Sequence, residues 1–379
     1  MRPAIPSRRK GLLRAVSDLA PGPRGPETAW LPVGGGVCCS AVTAEPHPPP
    51  DDCAVLARLV AAGCLGHGVR VEPLGGGVSS DVLLVRDDDG RHVVVKRALE
   101  RLKVADDWRA DPRRNASEQA WLQLASDLAP ANVPRVLLAA PDEGWFAMEY
   151  FGDGWGTWKQ ALMAGEADPL PALEAGATLG HLHRATWGAP AVAERFDTLR
   201  NFTELRIDPY FVTCAQRLPD LAPWLHDLCV RLASRKQALV HGDFSPKNLL
   251  VRPGRLVILD AEVAWYGDPA FDVAFLVHHL LLKALHHAGK AIAGDILALP
   301  ATFVRAYADQ LPADAAAAVE RRAVELALAL LLARVHGKSP VEYLGAASRD
   351  AVTGFVRAVS PAPPRGIGEL VRRWEPLLA

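Results

Sequence analysis

Between residues 241 and 262 the chain reads His241-Gly242-Asp243-Phe244-Ser245-Pro246-Lys247-Asn248, then two short strand-like runs, Leu249 to Val251 and Leu256 to Leu259, around the turn Arg252-Pro253-Gly254-Arg255, and then Asp260-Ala261-Glu262. An Asp, an Asn five residues later and a second Asp twelve beyond that form a spaced set that turn capping accounts for only one residue at a time. Phosphoryl transfer needs a carboxylate to orient or deprotonate an attacking hydroxyl, and oxygen ligands to hold Mg²⁺ against a triphosphate. Asp243 suits the first role; Asn248 and Asp260 suit the second. Glu262 lies two residues past Asp260, so on an extended segment its side chain points the same way, as a further ligand or as half of a surface salt bridge.

The rest of the chain frames this segment. At 379 residues it has room for two to three domains, or for one two-lobed enzyme plus extensions. Residues 1 to 50 hold ten of the 31 prolines and are expected to be a disordered extension. Strand periodicity then runs through Val69 to Leu74, Asp81 to Arg86 and His92 to Ala98, with an Asp-Asp-Asp-Gly turn before the third. A helix is expected from about Arg113 to Leu128, and strands at Arg135 to Ala140 and Trp145 to Phe151. After Gly154 the pattern is helical apart from Ala238 to Leu259, with apolar spacing over Leu170 to Trp187, Leu221 to Leu232, Phe271 to Leu285 and Ala315 to Val335. The expected units are residues 51–151, a nucleotide-binding lobe, and 152–379, a catalytic and substrate-binding lobe.

Composition excludes several classes. With 42 basic and 43 acidic side chains there is no field for gripping a nucleic-acid backbone. The apolar stretch Leu326 to Ala333 is far short of the about 20 residues that span a bilayer, so no membrane partner is expected. Six cysteines without a Cys-x-x-Cys pair suggest reduced thiols in a cytoplasm. The pairs His278-His279 and His286-His287 are too far apart along a helix for one metal ion, and are expected to be solvated or substrate-facing.

These motifs resemble the aminoglycoside phosphotransferase and choline kinase superfamily, the small-molecule branch of the protein-kinase-like fold, over about Val69 to Leu344. His-Gly-Asp stands where protein kinases have His-Arg-Asp, and Gly267-Asp268-Pro269-Ala270-Phe271-Asp272 follows the metal motif. The resemblance implies an α+β fold with a small antiparallel β lobe carrying one helix and a large, mainly helical lobe, using ATP and Mg²⁺. It also implies that His241 and Asp272 support the catalytic loop. In the small lobe it places Gly75, Gly76, Gly77 and Ser79 against phosphates, Lys96 on the nucleotide with Glu118 as its ion-pair partner and Glu100 as competitor, and Glu149 and Tyr150 at the adenine. For Lys96 a solvated lysine on an edge strand is the alternative.

Only twelve residues separate Asp260 from Asp272, too few for a peptide-positioning segment, so the acceptor is expected to be a small molecule with a hydroxyl group. Asp260-Ala261-Glu262 and Trp265-Tyr266-Gly267 are similar to methylthioribose kinases, and by that resemblance Arg334 faces the acceptor. A polycationic acceptor would want an acidic pocket. Arg195 to Lys236 instead carries seven basic and five acidic residues. Trp155 and Trp158 either stack a ligand or pack in the core. The reading is an ATP-dependent phosphotransferase, with a kinase-like nucleotide- or metabolite-binding protein as the alternative. The acceptor, ATP or GTP preference and oligomeric state stay open.

Overall fold

The computed structural model describes residues 50–74, 80–99 and 114–379. Two groups of sequence expectations fall outside them: the extension over residues 1 to 49, and Gly75, Gly76, Gly77, Ser79 and Glu100. Pro50, counted with the extension, is instead the first residue of helix α1, Pro50–Ala61. Proline suits that position because the first turn has no use for its missing N–H.

A five-stranded antiparallel sheet follows, formed by β1 (Arg70–Pro73), β2 (Ser80–Arg86), β3 (His92–Ala98), β4 (Val136–Ala140) and β5 (Trp145–Glu149) in the order β1-β2-β3-β5-β4. Asp87 ties the β2–β3 turn by accepting from Arg91 N at 2.8 Å, and reaches outside it to accept from Gly66 N at 2.6 Å. Alternation sorts the faces. Val93, Val95, Trp145 and Ala147 pack with Val55 and Leu59 of α1, whereas Val94, Phe146 and Met148 join the main core on the opposite face. Lys96 has the parity of Val94. It stands opposite Val82 and Phe146 in the register and is 4 % exposed, on an inner strand rather than a solvated edge.

Helix α2 (Arg114–Leu128) covers that inner face. Its buried residues Arg114, Asn115, Glu118, Gln119, Trp121, Leu122 and Ala125 recur every three or four positions, which places Glu118 over β3. The remainder is mostly helical, and its principal members are α3 (Leu170–Thr186), α4 (Ala222–Ser234), α5 (Ala270–His286), α6 (Ile292–Ala308) and α7 (Ala313–His336). Residues Thr203–Val212 wind as a π-helix around Pro209. Two small antiparallel sheets support the loop, one pairing β7 (Ala238–Val240) with β10 (Trp265–Gly267), the other joining β6 (Gly156–Thr157) to the hairpin β8 (Leu249–Arg252) and β9 (Arg255–Ile258). Strands β6 and β10 lie outside the one exception the helical pattern suggested, since two or three residues are too few for a readable period.

Helix α5 is buried from Ala270 to Leu285, so His278 and His279 are buried too, as is His287 beyond it, and none of the three is a solvated histidine. Helices α3 and α6 cross closely: a Cβ on Gly176 would come within 2.3 Å of the Phe303 carbonyl oxygen. That approach brings Tyr307 to His183, whose Nδ1 lies 3.0 Å from the phenol oxygen. Trp158 is a core residue at 1 % exposure, while Trp155 lies half-buried beneath the Arg252 guanidinium, 4.7 Å from its ring centre.

Candidate active site

The loop after β7 turns on Gly242, whose φ of +79° and whose position 2.6 Å (as a notional Cβ) from the Val263 carbonyl oxygen exclude a side chain. Asp272, in the first turn of α5, accepts from the backbone N–H of His241 at 2.7 Å and of Gly242 at 2.8 Å. His183 Nε2 sits 3.2 Å from the same carboxylate, so α3, α5 and α6 together fix the loop. His241 Nδ1 accepts from Asp243 N at 3.1 Å, which leaves Nε2–H to donate to Leu259 O at 3.0 Å. Burial holds this imidazole below its usual range, against the pull of Asp272 and Asp243, consistent with that neutral tautomer.

Asp243 is buried and held on three sides. Asn248 Nδ2 donates to its carboxylate at 2.8 Å and to its carbonyl at 2.9 Å, Lys247 Nζ lies 3.0 Å from Oδ2, and Arg206 reaches Oδ1 at 3.1 Å. Arg206 also donates to Gly242 O at 2.7 Å. Burial would raise the Asp243 carboxyl, but Lys247 and Arg206 outweigh it and hold the group below its ordinary range. Asn248's nitrogen is thus committed, and its carbonyl oxygen is the atom left to bind a cation.

Asp260 faces this loop from the end of the hairpin, with φ of +68°, the only positive φ outside glycine among the described residues. Its Oδ1 pairs with Lys96 Nζ, which also lies 2.8 Å from Glu118 Oε1. Burial alone would raise Asp260, yet Lys96 and Lys247 keep it below the carboxylate range. Burial alone would likewise lower Lys96, but Asp260, Glu118 and Glu262 hold the ammonium above its usual range. Glu118 is the member of the trio that burial wins, its carboxyl pushed up to about 7.

Glu262 forms a buried ion pair, its Oε2 3.0 Å from Arg114 Nε, where the sequence left open a surface salt bridge or a metal ligand. Arg114 also donates to Leu99 O at 2.6 Å, joining α2, the end of β3 and the Asp260 segment. Glu149 lies at the end of β5 beside Arg135, and the Tyr150 ring sits tilted against that of His92, 5.7 Å between centres, at the connection between the sheet and the helices. Arg334, at the end of α7, donates to Tyr210 Oη and Ser339 Oγ.

No group of three or more His, Cys, Asp or Glu side chains able to hold a metal occurs among the described residues. Magnesium does not require one, since it takes one or two protein oxygens and completes its shell with phosphate and water. Asn248 and Asp260 fit that donor chemistry. Sequence reasoning missed Arg206, Lys247 and Arg114. Lys247 is four residues from Asp243 and was legible as a neighbour; the two arginines carry no local signal.

Similarity to known proteins agrees with this geometry. A methylthioribose kinase of Pectobacterium carotovorum subsp. carotovorum is 28% identical over 242 residues, covering 57% of this chain and 60% of that enzyme. The chain therefore spans less than two thirds of the curated relatives' length. Among solved structures, an amicoumacin kinase in complex with AMP-PNP, Ca²⁺ and Ami superposes with a TM-score of 0.53 at 16% identity, covering 84% of this chain and 97% of that one. A choline kinase from Cryptosporidium parvum superposes at 0.51 and 10% identity, covering 80% and 94%. At such identities the superpositions speak to the fold, which is protein-kinase-like. Residues 70–294, more than half of the sequence and all of the loop from His241 to Asp272, match the phosphotransferase enzyme family, and the chain belongs to it.

Proposed function

We propose that this chain transfers the γ-phosphoryl group of ATP to a hydroxyl of a small molecule, with Mg²⁺ as the metal. In this reading residues 51–151 hold the nucleotide and residues 152–379 the acceptor. The observation that carries it is the convergence of Asp243, Asn248, Asp260 and the Lys96–Glu118 pair, drawn from three separate parts of the chain. A binding-only module has no use for a buried carboxylate locked beside a cation-binding amide.

Asp243 orients the acceptor hydroxyl and takes its proton as the new oxygen–phosphorus bond forms and the bond from γ-phosphorus to the bridging oxygen breaks, releasing ADP. A carboxylate held below its ordinary range is a weak base, so its contribution is mainly alignment. Asn248 and Asp260 would hold the Mg²⁺, which supplies charge neutralisation on the phosphate oxygens. Lys96 is steered by Glu118 toward the nucleotide phosphates, and Lys247 stands at the point of transfer between Asp243 and Asp260. Glu149, Tyr150 and the segment carrying Gly75, Gly76, Gly77 and Ser79 complete the nucleotide site.

A cytoplasmic setting fits the free thiols of Cys53, Cys64, Cys214 and Cys229. No described helix is long and apolar enough to cross a membrane. The test is transfer of labelled γ-phosphate from Mg·ATP into a fractionated metabolite pool, with Asp243→Asn as control. Tight Mg·ATP binding with no transfer to any fraction would leave the binding-only reading in its place.

A further inference from the structure

Beside the catalytic loop lies a narrow, open-sided recess of about 30 Å³, room for one small charged group, lined by Lys159, Lys247, Lys283, Arg334, His279 and Glu342, with Pro246, Val341 and Tyr343. Four of those side chains are cations and one is a carboxylate. Lys247 is engaged by Asp243 at 3.0 Å and Lys159 by Glu342 at 2.5 Å. Lys283 and Arg334 have no carboxylate partner among the described residues. Lys283 is 1 % exposed, on the buried helix α5, with its ammonium 3.7 Å from the centre of the Tyr343 ring. Among the described residues the Arg334 side chain bonds neutral hydroxyls alone, and its buried Nε has no hydrogen-bond partner.

A buried ammonium without a counter-charge is costly, and a fold that keeps one beside a half-buried guanidinium is organised to receive a negative charge. Burial, reinforced by Lys159 and Arg334, lowers Lys283 to about 7. Lys247 lies in the wall of the recess and against the Asp243 carboxylate at once, so a single side chain separates the recess from Asp243.

We infer that the acceptor is a small hydroxylated anion, whose carboxylate or phosphate group is bound by Lys283 and Arg334 while a hydroxyl a few bonds away meets Asp243. This rests on the phosphotransfer reading above and adds the charge class of the acceptor. It is opposite to what a polyamine or quaternary-amine acceptor would require, because four cations in one recess repel such ligands.

The experiment measures binding by calorimetry, without turnover, using four small probes that differ in charge: glycerol, glycerate, glycerol phosphate and choline. Binding of glycerate, glycerol phosphate or both at least tenfold tighter than glycerol, with choline weakest, is the expected result. Whichever of the two anions binds tighter identifies carboxylate or phosphate as the recognised group. Lys283→Met and, as a partly exposed second site, Arg334→Gln should each reduce anion affinity at least tenfold. Lys283→Arg, which keeps the charge, should retain more of it than Lys283→Met. Equal affinity for glycerol and both anions, anion affinity untouched in both charge-removing variants, or displacement of the anion by ADP alone would overturn the inference. Mg·ATP binding and phosphate transfer by the wild-type protein are scored separately, so a failed acceptor class and a failed phosphotransfer reading give different patterns.

Discussion

Replacing Asp272 with asparagine is the sharpest test of how the loop is held. The wild-type carboxylate accepts from two backbone N–H groups, at 2.7 and 2.8 Å, and is fully buried in the first turn of α5. Asparagine keeps one accepting oxygen and turns an NH₂ toward the second backbone donor. One charged hydrogen bond, about 1.5 to 3 kcal/mol, is lost. The favourable placement of a negative charge at a helix N-terminus, roughly 0.3 to 1 kcal/mol, goes with it. The sum is about 2 to 4 kcal/mol, and urea unfolding should report it as a lower midpoint at unchanged slope. Amide exchange at His241 and Gly242 should accelerate, and kcat should fall more than the KM for ATP rises, because Asp243 is the next residue along. A loss under about 0.5 kcal/mol with unchanged exchange at those two amides would refute the anchoring argument.

Three further outcomes follow from the same geometry. Asp243→Asn should lower kcat while leaving Mg·ATP affinity near wild type, whereas Asp260→Asn should weaken Mg·ATP binding itself; equal affinity losses in calorimetric titrations would contradict the two roles. Gly242→Ala should cost more than about 2 kcal/mol in denaturant unfolding, since a left-handed backbone disfavours alanine and its Cβ would press on the Val263 carbonyl oxygen; a near-neutral alanine would show that the loop shifts freely. Lys283, lowered to about 7 when folded and near 10.4 when unfolded, binds more protons in the unfolded chain between those values, so its contribution to stability rises with pH from 7 to 10, by up to about 4 kcal/mol. Lys159, Lys247, Arg334, His279, Glu342 and Tyr343 surround it, and Lys283→Met should flatten that slope relative to wild type; identical slopes would rule the group out.

The small-lobe strands were readable as short runs rich in β-branched and aliphatic residues bounded by turn residues, and the structural bounds of β3 coincide with the expected His92 to Ala98. Lys96 and Glu118 were named from the family resemblance, and the structure supplies the physical reason they meet: Lys96 points inward from β3 with the parity of Val94, and Glu118 lies on the buried face of α2. Arg206 was not readable. It sits 37 positions before Asp243, on a π-wound segment whose Pro209 breaks the α-helical pattern that would mark an inward face. Arg114 meets Glu262 across 148 positions, a pairing that only tertiary packing specifies. Lys283 was hidden differently: in the run from Phe271 to Leu285 it reads as a polar interruption on an apolar helix, and only the packing of that helix on every side reveals the residue as interior.

Helix α5 carries Asp272 in its first turn and Lys283 eleven residues later, a span of about 16 Å at 1.5 Å per residue. With its flank packed by other helices from one end to the other, it behaves as a gauge block inside the large lobe. The spacing between the loop that bears Asp243 and the ammonium in the recess is then set by the pitch of a single rigid rod. Tilting of the five-stranded sheet against the helices would change how the triphosphate is presented and leave that spacing untouched. Under the proposed function, acceptor length would then be selected independently of nucleotide, and a different length would call for the charge to move one helical turn along the rod, to position 279, where a histidine now stands.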